Sequence, residues 1–342
     1  MASMRGDGPP SRRARGRIAA AAAGAVLGTV IAAYAAFSSH SAKPAPPVKA
    51  ATPAATHSAQ QTLPSTADSY LGVYEFDSPG SYTQVQQFAQ TAGRMPNLVL
   101  YYNDWGQPFQ TSFASSALAN GATVIVDLDP ETATSSIQLS SIADGSYDSY
   151  LDSFARSVMS FGHPVVINFG HEMNGNWYPW GWSHQSPAEF VAAWRHVVTV
   201  FRDVGADNVT WLWTFSDIQP EPTEGPLRDY WPGSSYVNWV GIDSYYYFKS
   251  DTFDSVFAKS IAAAHKLTGK PVLIAETAIG PIAGQAQKIQ GLLAGVQQSG
   301  VLGLVWFDEA QNNGVYHQNW RLEGNAPASA AFRAGVAKYL QP

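Results

Sequence analysis

The sequence predicts an α/β chain folded as a (β/α)8 TIM barrel, and three observations carry that expectation. From Tyr70 onward, eight short apolar or aromatic runs recur at fairly even spacing, each ending in polar or carboxylate residues. Most of these runs are followed by a segment with helical periodicity. The region that holds them is roughly 270 residues long, the size eight strand–helix units require.

The chain opens on an Arg-rich stretch, Ser11 to Arg17, which runs into the apolar segment Ile18 to Phe37, built mostly of Ala, Val, Gly and Leu. That order is an export signal. The small-residue site Ala33-Tyr34-Ala35 suits cleavage, and if left uncleaved the segment is long enough to span a bilayer. Residues 1–37 are therefore read as signal peptide or signal anchor, with the rest of the chain secreted or held outside the membrane. Residues 38–67 are rich in Ala, Pro, Ser, Thr and Gln and carry almost no large apolar side chain. They bury too little surface to offset ordering, and they read as a disordered linker. The barrel domain takes residues 68–342.

The eight strand candidates are Leu71 to Phe76, Asn97 to Tyr102, Ala122 to Leu128, Pro164 to Phe169, Val209 to Thr214, Trp239 to Ser244, Pro271 to Ala275 and Leu302 to Phe307. Near-continuous apolar runs such as Val165-Val166-Ile167 suit a parallel sheet covered on both faces. The clearest helix start is Ser186-Pro187-Ala188-Glu189, which combines an N-cap, a first-turn proline and a capping-box glutamate. After it, Phe190, Trp194, Val197, Val198 and Phe201 fall on one helical face. Weaker helical patterns follow Ser81, Tyr147, Thr252 and Gln285, and Ala328 to Leu340 supplies a closing helix.

Composition narrows the chemistry. There is no cysteine, which excludes disulfides, thiol nucleophiles and thiolate metal sites. Seven of the 20 Lys and Arg but only one of the 26 acidic residues precede residue 50, so the remainder carries a net charge of −12. A body that acidic, without a basic run, is a poor partner for nucleic acid. Eleven Trp and 16 Tyr must either fill a large core or line a surface on which flat ligands stack.

In such a barrel the working groups come from the C-terminal ends of the strands. Two glutamates stand there: Glu172, just after the fourth run in Phe169-Gly170-His171-Glu172-Met173-Asn174-Gly175-Asn176-Trp177, and Glu276, ending the seventh in Leu273-Ile274-Ala275-Glu276-Thr277. Strands four and seven lie on opposite sides of the barrel mouth. Two carboxylates facing each other at about 5 Å support double displacement at a sugar carbon, one donating a proton to the leaving oxygen and the other attacking. Asp308 and Glu309 are rivals on strand eight, but neighbours on a strand point opposite ways, so at most one faces the cleft. Asp127, Asp129 and Glu131 are cleft polar groups without a calcium-loop pattern, and no metal is assigned.

The run from His171 to Gly181 resembles the signature of glycoside hydrolase family 26, whose members include β-mannanases, β-1,3-1,4-glucanases and β-1,3-xylanases. Val305-Trp306-Phe307 and Gly241-Ile242-Asp243-Ser244-Tyr245 are similar as well, so the likeness covers about residues 70 to 340. The resemblance implies Glu172 as acid/base and Glu276 as nucleophile, with Tyr245 donating to the nucleophile. It also implies His171, Trp177 and Trp306 as substrate-binding residues, with Trp306 beneath the sugar at the cleavage point. Trp105, Trp180 and Trp182 are as readily explained by loop packing.

The sequence departs from the mannanase pattern in three places. The nucleophile sits in Ala275-Glu276-Thr277-Ala278, strand three ends in Asp127-Leu128-Asp129-Pro130-Glu131, and strand five ends in Thr214-Phe215-Ser216-Asp217. These positions shape sugar subsites, so they bear on substrate and leave the two-glutamate mechanism untouched. The resulting expectation is a retaining endo-β-glycanase acting on β-1,4-mannan, or else on β-1,3-1,4-glucan or β-1,3-xylan, with no cofactor and as a monomer. The contrasting expectation is a carbohydrate-binding barrel of the cell envelope that has lost catalysis.

Overall fold

A computed structural model describes residues 62–218, 225–311 and 318–340. The apolar segment 18–37 and most of the linker lie outside them. No helix of the described residues is long and apolar enough to cross a membrane.

The eight strands close into one parallel barrel in chain order: β1 (Tyr70–Glu75), β2 (Leu98–Asp104), β3 (Thr123–Asp129), β4 (Val165–Phe169), β5 (Val209–Ser216), β6 (Trp239–Asp243), β7 (Val272–Thr277) and β8 (Gly303–Asp308). β1 and β8 complete the circle through a six-residue register from Tyr70↔Gly303 to Glu75↔Asp308. All eight apolar runs are strands. Several extend one or two residues past the expected C-terminal end, as where β2 and β3 stay paired to Asp104↔Asp129. Closure of the sheet satisfies these polar ends by ladder hydrogen bonds, so they pair although nothing apolar marks them.

Around the barrel lie α1 (Thr83–Ala92), α2 (Thr111–Ala119), α3 (Leu139–Ala143), α4 (Asp148–Phe161), α5 (Pro187–Val204), α6 (Lys259–Leu267), α7 (Gln285–Ser299) and α8 (Ala326–Tyr339). The capping box of α5 forms as expected: Ser186 Oγ accepts from the Glu189 amide at 3.2 Å, and Glu189 Oε2 accepts from the Ser186 amide at 2.8 Å. The five apolar residues read onto its inner face are all buried. α2 was not anticipated, because Thr-Ser-Phe-Ala-Ser-Ser-Ala-Leu-Ala offers little apolar contrast; it is held by Phe113, Ala114 and Ala117 against the barrel. Between β5 and β6 the described residues hold a short 3-10 turn, Leu227–Tyr230, and no α-helix.

The linker boundary requires a correction. Leu63, Pro64 and Ser65, assigned to the linker by composition, belong to the folded unit. The Leu63 amide donates to Thr210 Oγ1 at 3.2 Å, Tyr70 Oη donates to the Pro64 carbonyl at 2.6 Å, and Trp239 Nε1 donates to Ser65 Oγ at 3.0 Å. These partners sit near the starts of β1, β5 and β6, so the segment covers the end of the barrel opposite the strand C-termini.

Candidate active site

The strand C-termini bring together residues from β2, β3, β4, β6, β7 and the segment after β8. β4 ends at Phe169, whose ring turns outward onto Phe190 of α5, and the chain then bends sharply. Gly170 has φ 57° and Glu172 φ 52°, both in the left-handed region. Gly170 is required there for space as well: an added Cβ would lie 3.2 Å from Phe190 and 3.4 Å from Trp180. For a glutamate the same conformation costs of order 1–3 kcal/mol. Three contacts offset it, since the Glu172 amide donates to the Thr214 carbonyl at 3.0 Å, its own carbonyl accepts from Gly175, and Asn174 pairs reciprocally with the Ser216 backbone at 2.9 Å.

Glu172 is buried, and burial, with a contribution from Glu276, pushes its carboxyl up to about 7 against the opposing charge of His171. Trp177 Nε1 donates to its Oε2 at 2.6 Å. The Glu172 side chain therefore keeps its proton to higher pH than an ordinary carboxyl. A direct consequence is testable: the indole donor favours the ionised form, so in Trp177→Phe the alkaline limb of the pH–rate profile should move to higher pH. A limb that stays in place or moves to lower pH would show that the indole does not act through this carboxyl.

Glu276 is placed by an irregularity in β7. Ile242 faces Ile274, yet Asp243 faces Glu276, and on the other side Ile274 faces Leu304 while Thr277 faces Trp306. One extra residue in β7 relative to both neighbours turns Glu276 into the mouth. There Tyr245 Oη donates to Oε2 at 2.5 Å and Tyr102 Oη donates to Oε1. Both carboxylate oxygens of Glu276 are thus engaged by hydroxyl donors. Burial and the Glu276 charge hold the Tyr245 hydroxyl well above its usual range, so it remains a donor.

His171 lies under this pair and is fully buried, with Nδ1 3.0 Å from Asp129 Oδ1 and 3.6 Å from Asp127 Oδ2. Burial opposes its protonation, but Asp129 and Asp127 outweigh it and raise the imidazole to about 9. Asp127, tied to Asn168 Nδ2 at 2.8 Å, is itself pushed up by burial. The result is a cation fixed beneath two carboxyl groups. Ligand atoms of Asp127, His171 and Glu276 fall within 4.8 Å of one another. Of these groups, His171 Nδ1 meets Asp129, Asp127 Oδ1 accepts from Asn168 and Glu276 accepts from two tyrosines, while His171 Nε2 and Asp127 Oδ2 have no hydrogen-bond partner among the described residues.

A sequence profile of glycosyl hydrolase family 26 matches residues 65–329. The chain belongs to glycosyl hydrolase family 26. Among curated relatives, it is 28% identical over 299 residues to Endoglucanase H of Acetivibrio thermocellus, covering 78% of this chain and 32% of that protein. It is 29% identical over 203 residues to a mannan endo-1,4-beta-mannosidase of Bacillus subtilis, covering 54% and 49%. The chain thus spans from about a third to about half of the length of these relatives. Among solved structures, a family 26 β-mannanase of Bacteroides ovatus superposes with a TM-score of 0.60 at 16% identity, over 79% of this chain and 88% of that one.

Within this family 26 barrel, the structure brings together Glu172, Glu276, His171, Trp177 and Tyr245. Tyr246, the next residue along the chain, is buried against Phe257. Trp180 is core, with Nε1 donating to the His171 carbonyl at 2.8 Å, and Trp105 packs edge-on against Tyr147.

Trp306 requires a correction. Its ring is fully buried on the outer face of β8 against Phe332 of α8, 5.1 Å between centroids, and its Nε1 donates to Asp308 Oδ1 and the Trp320 carbonyl, both at 3.1 Å. Strand alternation decides this: Phe307 points inward, stacked on Tyr74, so Trp306 cannot. Asp308, on the same face as Trp306, is also outside the cleft. The indole beside the site is Trp320, stacked on Tyr245 at 4.8 Å and edge-on to Phe307. Trp306→Phe should accordingly leave kcat/KM within about twofold while costing about 1–3 kcal/mol of stability, through the buried indole hydrogen bonds lost to the Asp308 carboxyl and the Trp320 carbonyl. Urea unfolding and initial rates measure both, and a large loss of kcat/KM with stability unchanged would contradict the outward placement.

Sequence reasoning missed three residues. Tyr102 closes the second run but carries no signal of its own, because its hydroxyl meets Glu276 only across the barrel. Asp243 lies within a run already noted; it is 1% exposed, both its oxygens lack a hydrogen-bond partner among the described residues, and burial and Glu276 push it well above the usual carboxylate range. Trp320 sits in a connection that no periodicity marks.

Proposed function

We propose that this chain is an exported, retaining endo-β-glycanase that cleaves β-1,4-mannan. The observation that carries the reaction class is two buried glutamates in different surroundings at one barrel mouth: burial raises the Glu172 carboxyl to about 7, while Glu276 receives two tyrosine hydroxyls. Glu172 gives its proton to the glycosidic oxygen as that C–O bond breaks, and Glu276 attacks the anomeric carbon to form a glycosyl ester. Water then attacks the same carbon, losing its proton to Glu172, and the ester bond to Glu276 breaks. The configuration is retained.

Mannan is favoured by the family's membership and by the mannosidase relative. A β-glucan substrate is the second reading, because Endoglucanase H matches 78% of this chain whereas the mannosidase matches 54%. Departures around Asp127, Ser216 and Thr277 weigh on the same side. Export rests on the Arg-rich and apolar opening of the sequence, and culture-fluid fractionation of the producing cell tests it.

The purified chain and its Glu276→Ala variant should be incubated with mannan, glucomannan, mixed-linkage β-glucan, β-1,3-xylan and carboxymethylcellulose, and released oligosaccharides followed by chromatography. Oligosaccharides from mannan, absent with the variant, are expected. Products from mixed-linkage glucan alone would transfer the assignment to the second reading. No release from any polymer would remove the endo-glycanase reading.

A further inference from the structure

Of the Phe, Tyr and Trp side chains among the described residues, two are exposed, Phe76 at 56% and Phe248 at 67%. The other exposed large apolar side chains, Leu118 and Met159, lie on the outer helices α2 and α4, where scattered exposure is ordinary. The two phenyl rings stand instead at the mouth of the barrel, Phe76 directly after β1 and Phe248 in the turn that follows β6.

Both rings are carried on braced backbone. The Ser78 amide donates to the Glu75 carbonyl at 3.0 Å, closing a turn on Phe76, and the Asp77 amide donates to Gln84 Oε1 at 3.2 Å. Beyond β6, Asp251 Oδ2 accepts from the Tyr247 and Phe248 amides, each at 2.8 Å, and Lys288 Nζ donates to the Asp251 carbonyl at 2.6 Å. A ring presented in this way loses little freedom when a ligand covers it.

Placement relative to the two glutamates says what such a ligand is. With Glu172 just after β4 and Glu276 on β7, the line joining them leaves β5 and β6 on one arc of the closed barrel and β8, β1, β2 and β3 on the other. A glycan cleaved between the two carboxyls crosses that line, with one end over each arc. Phe248 stands on the first arc and Phe76 on the second. Aromatic rings lead inward on both sides. Tyr247 lies 6.1 Å from Tyr245, whose hydroxyl meets one oxygen of Glu276, and Tyr74, on the strand that Phe76 follows, lies 4.9 Å from Tyr102, whose hydroxyl meets the other.

We propose that Phe76 and Phe248 are stacking platforms for sugar rings on opposite sides of the cleavage point, so that the cleft holds a glycan from the β1 rim to the β6 rim. The apolar C–H face of a pyranose packs on a phenyl ring without needing charge, which suits a neutral polysaccharide. The proposal rests on the glycanase reading above.

Phe76→Ala and Phe248→Ala should be compared with the unsubstituted chain on reducing-end-labelled mannohexaose and on a labelled mixed-linkage glucan hexasaccharide, together with the shortest oligosaccharide that the unsubstituted chain cleaves. Each variant should lose about tenfold in kcat/KM on the hexasaccharide and stay within about twofold on the shortest substrate. Melting temperatures should not change, because both rings are exposed. The labelled products should show the preferred bond moving in opposite directions in the two variants, since loss of one platform lets the glycan slide toward the other; a general loosening of the fold would not separate them. Rates and bond preference unchanged in both variants, with the unsubstituted chain active, would overturn the proposal and leave the glycanase reading standing. No cleavage by the unsubstituted chain would overturn both. A dimer of the unsubstituted chain that either substitution dissolves, with kinetics untouched, would overturn the proposal by giving the rings to self-association.

Discussion

Glu276→Ala is expected to lower kcat by at least about 10⁴-fold on every glycoside the chain cleaves, because in the proposed mechanism its carboxylate forms the glycosyl ester. The fold should survive. Two tyrosine hydroxyls, from Tyr102 and Tyr245, lose their acceptor, at about 1–3 kcal/mol. Against that, removal of one carboxylate relieves the charge crowding that now acts on Glu172, Asp127 and Asp243. The space vacated lies beneath the anomeric carbon, so added azide should restore turnover of an activated aryl glycoside and give the glycosyl azide of inverted, α configuration. A β-azide, or activity within a hundredfold of the unsubstituted chain, would remove Glu276 as the attacking group. Circular dichroism and a melting curve on the same preparation separate loss of chemistry from loss of fold.

The second large effect follows from Glu172. In Glu172→Ala, hydrolysis of a polysaccharide, whose leaving group needs a proton, should fall by about 10²–10⁴-fold. Formation of the glycosyl ester from a dinitrophenyl glycoside needs no proton and should be slowed far less. Water activation is then lost in the second step, so a burst of phenol followed by a slow steady state is expected, and azide should yield the product of retained, β configuration. The pH dependence has a definite sign. Glu172 is raised from 4.5 to about 7, so the acid form is complete well below that value and is lost as pH rises through it. kcat/KM should fall about tenfold per unit on the alkaline side, and that limb should vanish in Glu172→Ala. A variant that keeps the limb near 7, or loses as much on the activated glycoside as on the polymer, would assign the proton to another group.

These outcomes also bear on the cation under the site. His171 opposes the rise of Glu172, and its charge is secured by Asp129 at 3.0 Å and Asp127 at 3.6 Å. The three-residue set makes the Glu172 value a compromise between burial and a buried imidazolium. A barrel with a neutral residue at 171 would hold the acid too tightly for release near neutrality.

Local signals in the sequence suffice for the scaffold and for the place of two glutamates at strand ends. Near-continuous apolar runs pair only in a covered parallel sheet, and the Ser186–Glu189 cap marks a helix whatever surrounds it, because both signals are local. Glu172 and Glu276 were legible because each lies at a strand end, where the barrel has no packing use for a carboxyl. Tertiary structure decided what depends on pairing and facing. The extra residue in β7 that turns Glu276 inward is visible only against β6 and β8. The Tyr102 contact spans strands that are not neighbours in the sheet. The outward turn of Trp306 and its replacement beside Tyr245 by Trp320 follow from which face of β8 the α8 helix covers. Strand alternation is a parity, and a parity read from sequence has no origin until a neighbouring strand or helix supplies one.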